Sequence, residues 1–202
     1  MPHDYSTAPP PDEVNLIPDG TIATVVVNIR PGGVGEDQLL KRSQNGECEL
    51  LECDIVVVDG PNARKKFREY QLIVGTTPEQ KNMAEVYRAR RKEMLQSARG
   101  IKDGDQSPQA RAAYMADLKD FDGLTFVAKI GVEKGQPRKG GTGNYPSKNV
   151  IAAVIKPGAA EWHPVTQAPP FDGGGNSGVA APSASPEASP GNPPITAPDW
   201  AR

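Results

Sequence analysis

The sequence predicts a β-rich α+β domain, in which a five-stranded, partly open barrel carries a helical insert between strands 3 and 4. Five segments have the composition of β-strands, and the long segment between the third and the fourth has helical periodicity. Helices that are segregated from a mainly antiparallel sheet are typical of the α+β class. Five strands are too few for an immunoglobulin-type sandwich, so a small barrel suits them better.

The strands are rich in β-branched residues and are bounded by turn residues such as Pro-Asp-Gly at 18–20 and Asp-Gly-Pro at 59–61. Leu124–Val132 alternates apolar and polar side chains most clearly. In chain order, the predicted strands are Thr21–Ile29, Cys48–Val58, Lys66–Val74, Leu124–Val132 and Asn149–Ile155.

The insert is predicted to hold two helices. Thr77 is a suitable N-cap, because Pro78 takes the first helical position and Gln80 completes a capping box. Gly100 supplies a C-terminal stop. A second, shorter helix is predicted to begin at Ser107 and to run to about residue 120.

Both ends of the chain differ from the middle in composition. In 169–202, 23 of 34 residues are Pro, Gly, Ala or Ser, and such a segment cannot bury enough apolar surface to fold. We therefore expect a flexible N-terminus at 1–13, one domain at 14–168 and a disordered tail at 169–202.

Several classes of site have no support in the sequence. Cys48 and Cys53 are the only cysteines, and they are expected on opposite faces of a strand, unbridged. With His3 and His163 as the only histidines, no zinc-ligand spacing exists. We expect no cofactor and no metal. No apolar run approaches the ~20 residues of a membrane span, so we expect no membrane contact and a cytoplasmic protein.

The net charge of −2 conceals an uneven distribution. Residues 60–100 carry ten Lys or Arg against four Glu, and residues 129–148 carry five cations against one Glu. The middle of the chain is basic and the remainder is acidic. The basic middle favours an anionic partner.

Three stretches resemble phage-encoded proteins related to single-stranded DNA-binding proteins: "SARGIKDGD", "DLKDFDGLTFVAKIGVEKG" and "GNYPSKNVIAAVIKP". The resemblance covers about residues 14–162. It implies an OB-fold and sequence-tolerant binding of single-stranded DNA during phage or prophage replication or recombination, in the cytoplasm of a bacterial host. OB-folds bind oligonucleotides with the face of strands 2 and 3 and with the loops that join strands 1–2 and 4–5.

The predicted strand 4–5 loop is basic and rich in glycine. Its cations are candidates for phosphate contacts, and its tyrosine is a candidate stacking platform for a base; these residues are Lys134, Arg138, Lys139, Lys148 and Tyr145. A flexible hairpin that its charges keep solvated is an equally good interpretation. The strand 1–2 loop carries Arg30, Lys41 and Arg42, but acidic residues offset part of its positive charge. Its glycines do not form a P-loop.

The turn before strand 3 and the start of that strand combine cations with an aromatic ring. The candidate DNA-binding residues are Arg64, Lys65, Lys66, Phe67 and Arg68. Phe67 shares a polar face with Glu69 and Gln71 and is predicted to be exposed, whereas Tyr70 is predicted to lie in the core. On strand 2, Glu52 and Asp54 share a face and would repel phosphate if that face were the groove.

Other interpretations remain open. The basic run at 88–93 fits a solvated helix face better than an extension of the phosphate track. The tail fits a plain solubilising segment better than one that recruits phage recombination or replication proteins. The whole protein is alternatively a protein-interaction module of the phage replication machinery or, with less support, a metal-dependent nuclease using carboxylates such as Asp59 and Glu69. We expect no enzymatic activity.

Overall fold

The computed structural model describes residues 15–137 and 144–167. The chain divides into two units, Met1–Phe171 and Asp172–Arg202, and all the described residues belong to the first. The predicted flexible N-terminus at 1–13 and the predicted tail at 169–202 lie outside the described residues.

The described chain forms one antiparallel sheet of six strands. Five correspond to the predicted strands, and the short β2 is additional. Their bounds are β1 Thr21–Ile29, β2 Leu40–Arg42, β3 Cys48–Val57, β4 Lys66–Gly75, β5 Thr125–Glu133 and β6 Lys148–Val154. A three-residue strand has too few residues to show an alternating pattern, and for this reason the sequence did not reveal β2.

The strand order is β2-β3-β1-β5-β6, with β4 also paired to β3. Because β4 runs along one edge of β3, β1 and β2 share its other edge. β1 pairs antiparallel with β3, which pairs antiparallel with β4. β1 also pairs antiparallel with β5, which pairs antiparallel with β6. β4 and β6 therefore run in the same direction. No backbone ladder joins β4 to β6 in the described chain, and the sheet is not closed.

The helices follow β4, as predicted. Helix α1 is Pro78–Arg99, and the predicted capping box of Thr77 and Gln80 is present, as is the left-handed Gly100 at its end. Helix α2, Pro108–Tyr114, is shorter than predicted. A separate 3₁₀ helix, Leu118–Phe121, replaces its expected last turn.

The core lies between the inner face of the curved sheet and the C-terminal half of α1. The sheet contributes Val25, Leu51, Ile55, Phe126 and Ile130, each at most 1% exposed. From α1, Met94 and Leu95 are buried, while every residue from Pro78 to Arg91 retains some exposure. The first half of α1 is therefore anchored less completely than the second.

The segment after β6 packs back onto the domain. Trp162 donates its indole N–H to the carbonyl of Ser97 at 3.1 Å. The Gln167 side chain accepts the backbone N–H of Thr125 at 3.1 Å and donates to the carbonyl of Ala98 at 3.3 Å. These bonds tie the C-terminal end of α1 to β5.

No helix in the described ranges has both the length and the apolar character that crossing a bilayer would require. Both cysteines are free, as predicted, with Cys53 buried and Cys48 partly exposed.

Asn149 is a buried polar anchor, and its replacement tests the packing of the N-terminal segment. Its side chain bonds the N–H of Ile17 at 2.8 Å, the carbonyl of Ile17 at 2.7 Å and the carbonyl of Gly131 at 3.2 Å. Asn149→Ala leaves these groups without partners and is expected to lower the free energy of unfolding by about 2–4 kcal/mol. Urea denaturation followed by circular dichroism measures this loss. Asn82→Ala, at an exposed helix position, is the control and is expected to change stability by less than about 0.5 kcal/mol.

Candidate nucleic-acid interface

The described candidate residues lie near the end of the sheet where β4 and β6 begin. Arg64 is in the β3–β4 turn, with a positive φ of 69°, and its N–H donates to the carbonyl of Val57 at 2.8 Å. Lys66 is the first residue of β4, and Lys148 is the first of β6. Tyr145, in the loop before β6, is 56% exposed. Arg138 and Lys139 lie outside the described residues.

A cleft of about 640 Å³ lies between β4 and β6. We call it the seam cleft. It is lined by four consecutive residues of β4, 67–70, and by five of β6, 148–152, together with Tyr87 and Arg90 of α1 and Glu133 at the end of β5. The structure thus brings Phe67, Arg68 and Lys148 to one cleft, although more than seventy residues separate β4 from β6 in the sequence. The other five described candidates do not line it: Arg64, Lys65, Lys66, Lys134 and Tyr145.

The floor of the seam cleft holds a buried carboxylate. The Glu69 side chain is 7% exposed; it accepts hydrogen bonds from Arg90 Nη1 at 3.4 Å and from the backbone N–H of Ile151 at 3.3 Å. Burial raises the pKa of Glu69, and the charge of Arg90 opposes that rise. One carboxylate thereby connects β4, β6 and α1.

The predicted orientation of β4 was wrong. Glu69 and Gln71 face inward, and Phe67 is partly buried against the core. Tyr70, predicted to be a core residue, is 43% exposed. The polar face is the inner one because α1 supplies partners that the sequence does not reveal: Arg90 contacts Glu69 and Arg91 contacts Gln71, both at 3.4 Å. The exposed ring of this strand is therefore Tyr70 and not Phe67.

The outer face of β3 and β4 carries a network of charged side chains. Glu52, 5% exposed, contacts Arg30 at 3.4 Å, Lys41 at 2.9 Å and Arg68 at 3.1 Å. Asp54 contacts the same two arginines at 3.1 and 3.6 Å. The three cations, each about half exposed, outnumber the two acids, so the repulsion expected from Glu52 and Asp54 is offset.

Tyr70 belongs to the same outer face, because it lies opposite Glu52 in the β3–β4 ladder, as Arg68 lies opposite Asp54. A hydrogen bond with the Tyr70 side chain is the main cause that raises the pKa of Arg68. The loop predicted between strands 1 and 2 had the weaker basic signal, but part of it forms β2, and the pairing of Lys41 with Leu50 turns Lys41 toward this face. An exposed ring and three cations are therefore adjacent.

The basic run at 88–93 does not form one solvated face. Arg90 points into the seam cleft and contacts Glu69, while Arg88, Arg91 and Lys92 line a second cleft on another side of α1. The Glu85–Arg88 pair at 3.4 Å is the kind of surface contact predicted for the run.

His163 has partners that the sequence did not indicate. Its Nε2 lies 3.0 Å from Thr24 Oγ1, which also donates to Asp59 Oδ2 at 2.7 Å. Thr24 is 7% exposed and donates its hydroxyl proton to Asp59, and its contact with His163 holds the segment after β6 in place.

The carboxylates considered for a nuclease site serve other contacts. Asp59 accepts hydrogen bonds from Thr24, and Glu69 pairs with Arg90. Within 15–137 and 144–167, no group of three or more His, Cys, Asp or Glu residues is arranged to hold a metal ion.

Comparison with known proteins found no family model, no curated protein and no solved structure that matches this chain.

The buried Glu69 is expected to make the free energy of unfolding depend on pH. A carboxyl whose pKa is raised in the folded state binds more protons folded than unfolded, so its contribution to stability falls as the pH rises above its ordinary value of 4.5. Glu69→Gln does not titrate, and its one amide oxygen keeps an acceptor for either Arg90 or Ile151, which donate to different oxygens of Glu69. The stability of this variant relative to wild type is therefore expected to increase from about pH 4 to about pH 8, as measured by urea denaturation.

Glu133→Gln controls for the change in net charge, because Glu133 lines the same cleft and its side chain is 48% exposed. Stability curves for Glu69→Gln and wild type that run parallel over this pH range would contradict the role of burial at Glu69.

Proposed function

We propose that this protein binds single-stranded DNA with little sequence preference and that it acts in phage or prophage replication or recombination. The observation that carries the proposal is the seam cleft. It joins Phe67 and Arg68 of one cationic segment to Lys148 of the other, beside the exposed ring of Tyr70.

The strand arrangement supports an OB-fold-like interpretation. Without β2, the five remaining strands form an antiparallel sheet, and its end strands β4 and β6 lie on the two sides of one cleft. This arrangement fits a partly open five-stranded barrel, the architecture in which strands 2 and 3 and the adjoining loops bind oligonucleotides. The corresponding strands here are β3 and β4.

The outer face offers the two kinds of contact that single strands require. Arg30, Lys41 and Arg68 would contact phosphates, and the ring of Tyr70 would stack on a base. Tyr145 would supply a second ring at the loop before β6. Stacking and phosphate contacts do not read base edges, and binding by these contacts is therefore tolerant of sequence.

A protein-interaction module is the second candidate function, and the apolar surface of α1 favours it. Met83 and Val86 are 47% and 50% exposed on the weakly anchored first half of this helix. Such a module would not need to bind DNA.

Charge removal at the seam cleft tests the DNA-binding proposal. Arg68→Gln combined with Lys148→Gln is expected to weaken binding to labelled oligo-dT in fluorescence anisotropy. The slope of log affinity against log salt is expected to become shallower by about 0.7 for each phosphate that the variant no longer neutralises. Mixed-sequence oligonucleotides should give similar affinities.

Lys81→Gln combined with Lys102→Gln is the matched control, because it removes equal charge at exposed positions that do not line this cleft. Equal losses of affinity in both double variants would show a general charge effect, and no binding at about 50 mM salt would refute the proposal. Cleavage of the oligonucleotide on addition of Mg²⁺ would instead identify a nuclease.

Replacement of Tyr70 tests the stacking contact. Tyr70→Ala is expected to reduce the binding free energy for oligo-dT by about 1–3 kcal/mol, and Tyr70→Phe, which keeps the ring, should retain most of the affinity. Anisotropy titration measures both, and thermal melting confirms that both variants fold. If Tyr70→Ala binds as wild type does, Tyr70 is not a stacking platform.

A further inference from the structure

A second cleft, separate from the seam cleft, lies between α1 and the segment that contains Tyr114 and the 3₁₀ helix. Its volume is about 770 Å³, which is within the usual range for ligand sites. We call it the helix cleft. Cations from α1 line one side, and Leu95, Leu118 and Phe121 contribute apolar surface.

The cations belong to one face of α1. Residues 88, 91, 92 and 95 follow helical spacing, so Arg88, Arg91 and Lys92 lie on the same stripe as the buried Leu95. Arg90, which contacts Glu69, points into the seam cleft instead. The helix cleft is thus a distinct cationic surface with an apolar base.

Arg91 is the central group of this surface. It is partly buried, and the contact that it makes is with the amide oxygen of Gln71 at 3.4 Å. Burial lowers the pKa of Arg91, and the charge of Arg88 lowers it further. Among the described residues, neither Arg91 nor Lys92 forms an ion pair with a carboxylate. The charge of Glu85 acts in the opposite direction on the pKa of Arg91 but does not outweigh burial, so an incoming anion would stabilise a charge that the fold compensates only in part.

The two acids of the cleft offset only part of its positive charge. Glu85 contacts Arg88 at 3.4 Å, and Asp117 lies 3.8 Å from Lys119. The lining therefore holds three cations and two acids, with Arg91 and Lys92 available to an anionic ligand.

The rings of the helix cleft are poorly placed to stack on bases. The ammonium of Lys92 lies 5.4 Å from the centroid of the Tyr114 ring and occupies that side of it. Phe121 is only 5% exposed. Phosphates would find cations here, but bases would find no open platform, and this favours a peptide over a nucleic acid.

From this charge complementarity and the apolar base, we propose that the helix cleft docks an acidic peptide segment of a partner protein. The carboxylates of the segment would contact Arg88, Arg91 and Lys92, and a large apolar side chain would cover Leu118 and Ala116, the partly exposed apolar residues of the lining. Met115, which follows Tyr114 and is 87% exposed, would extend the apolar contact at the edge. This proposal does not depend on DNA binding.

Selection from a displayed random-peptide library tests the proposal, with the full-length protein as bait. Enriched sequences are expected to combine Asp or Glu with a large apolar residue. Synthetic peptides made from them are then titrated by fluorescence anisotropy. Arg88→Gln combined with Lys92→Gln is expected to weaken their binding roughly tenfold. Lys81→Gln with Lys102→Gln, at exposed positions outside the cleft, should bind as wild type does.

Each other result overturns the proposal. No enrichment, enrichment of sequences without acids, or equal affinity for the Arg88/Lys92 variant and wild type would show that the cleft is not an acidic-peptide site. If this variant loses affinity for oligo-dT while its affinity for the peptides is unchanged, the cleft serves nucleic acid instead. Thermal melting of each variant confirms that a loss of binding is not a loss of folding.

Discussion

The side-chain bridge at Glu69 is the constraint on which the rest of this domain depends. No backbone ladder joins β4 to β6 in the described residues, so a buried carboxylate connects these strands and also receives Arg90 from α1. Burying a charge is unfavourable, and the ion pair with Arg90 and the hydrogen bond from Ile151 offset part of that cost here. The same bridge leaves an open cleft above it, whereas a continuous ladder would have closed the sheet.

Charge compensation organises the outer face in a related way. Glu52 is almost fully buried under three long cationic side chains, which cover it while they keep about half of their own surface in water. The carboxylate thereby holds Arg30, Lys41 and Arg68 near one another, and it also competes for their charge. Any anionic ligand of this face would meet cations that are positioned but partly neutralised, so its binding would depend strongly on salt.

Local signals in the sequence predicted the elements well. The capping box at Thr77 and the stop at Gly100 are present, because both depend on residues that are close in sequence. The orientation of β4 was predicted wrongly for the opposite reason. Which face of a strand is buried depends on partners from elsewhere in the chain, and Arg90 and Arg91 make an inward Glu69 and Gln71 acceptable. Consequently Tyr70, and not Phe67, is the exposed ring.

The sequence by itself determined five strands, the helical insert after the third of them and the basic character of two distant segments. Composition, periodicity and capping depend on residues that are close in sequence, so they can be recognised from the sequence alone. Only the tertiary structure decided that Arg68 and Lys148 line one cleft, that His163 contacts Thr24, and that the basic run of α1 divides between two clefts. These outcomes depend on how strands and helix pack, and contacts between residues far apart in the chain leave no periodic signal in one sequence.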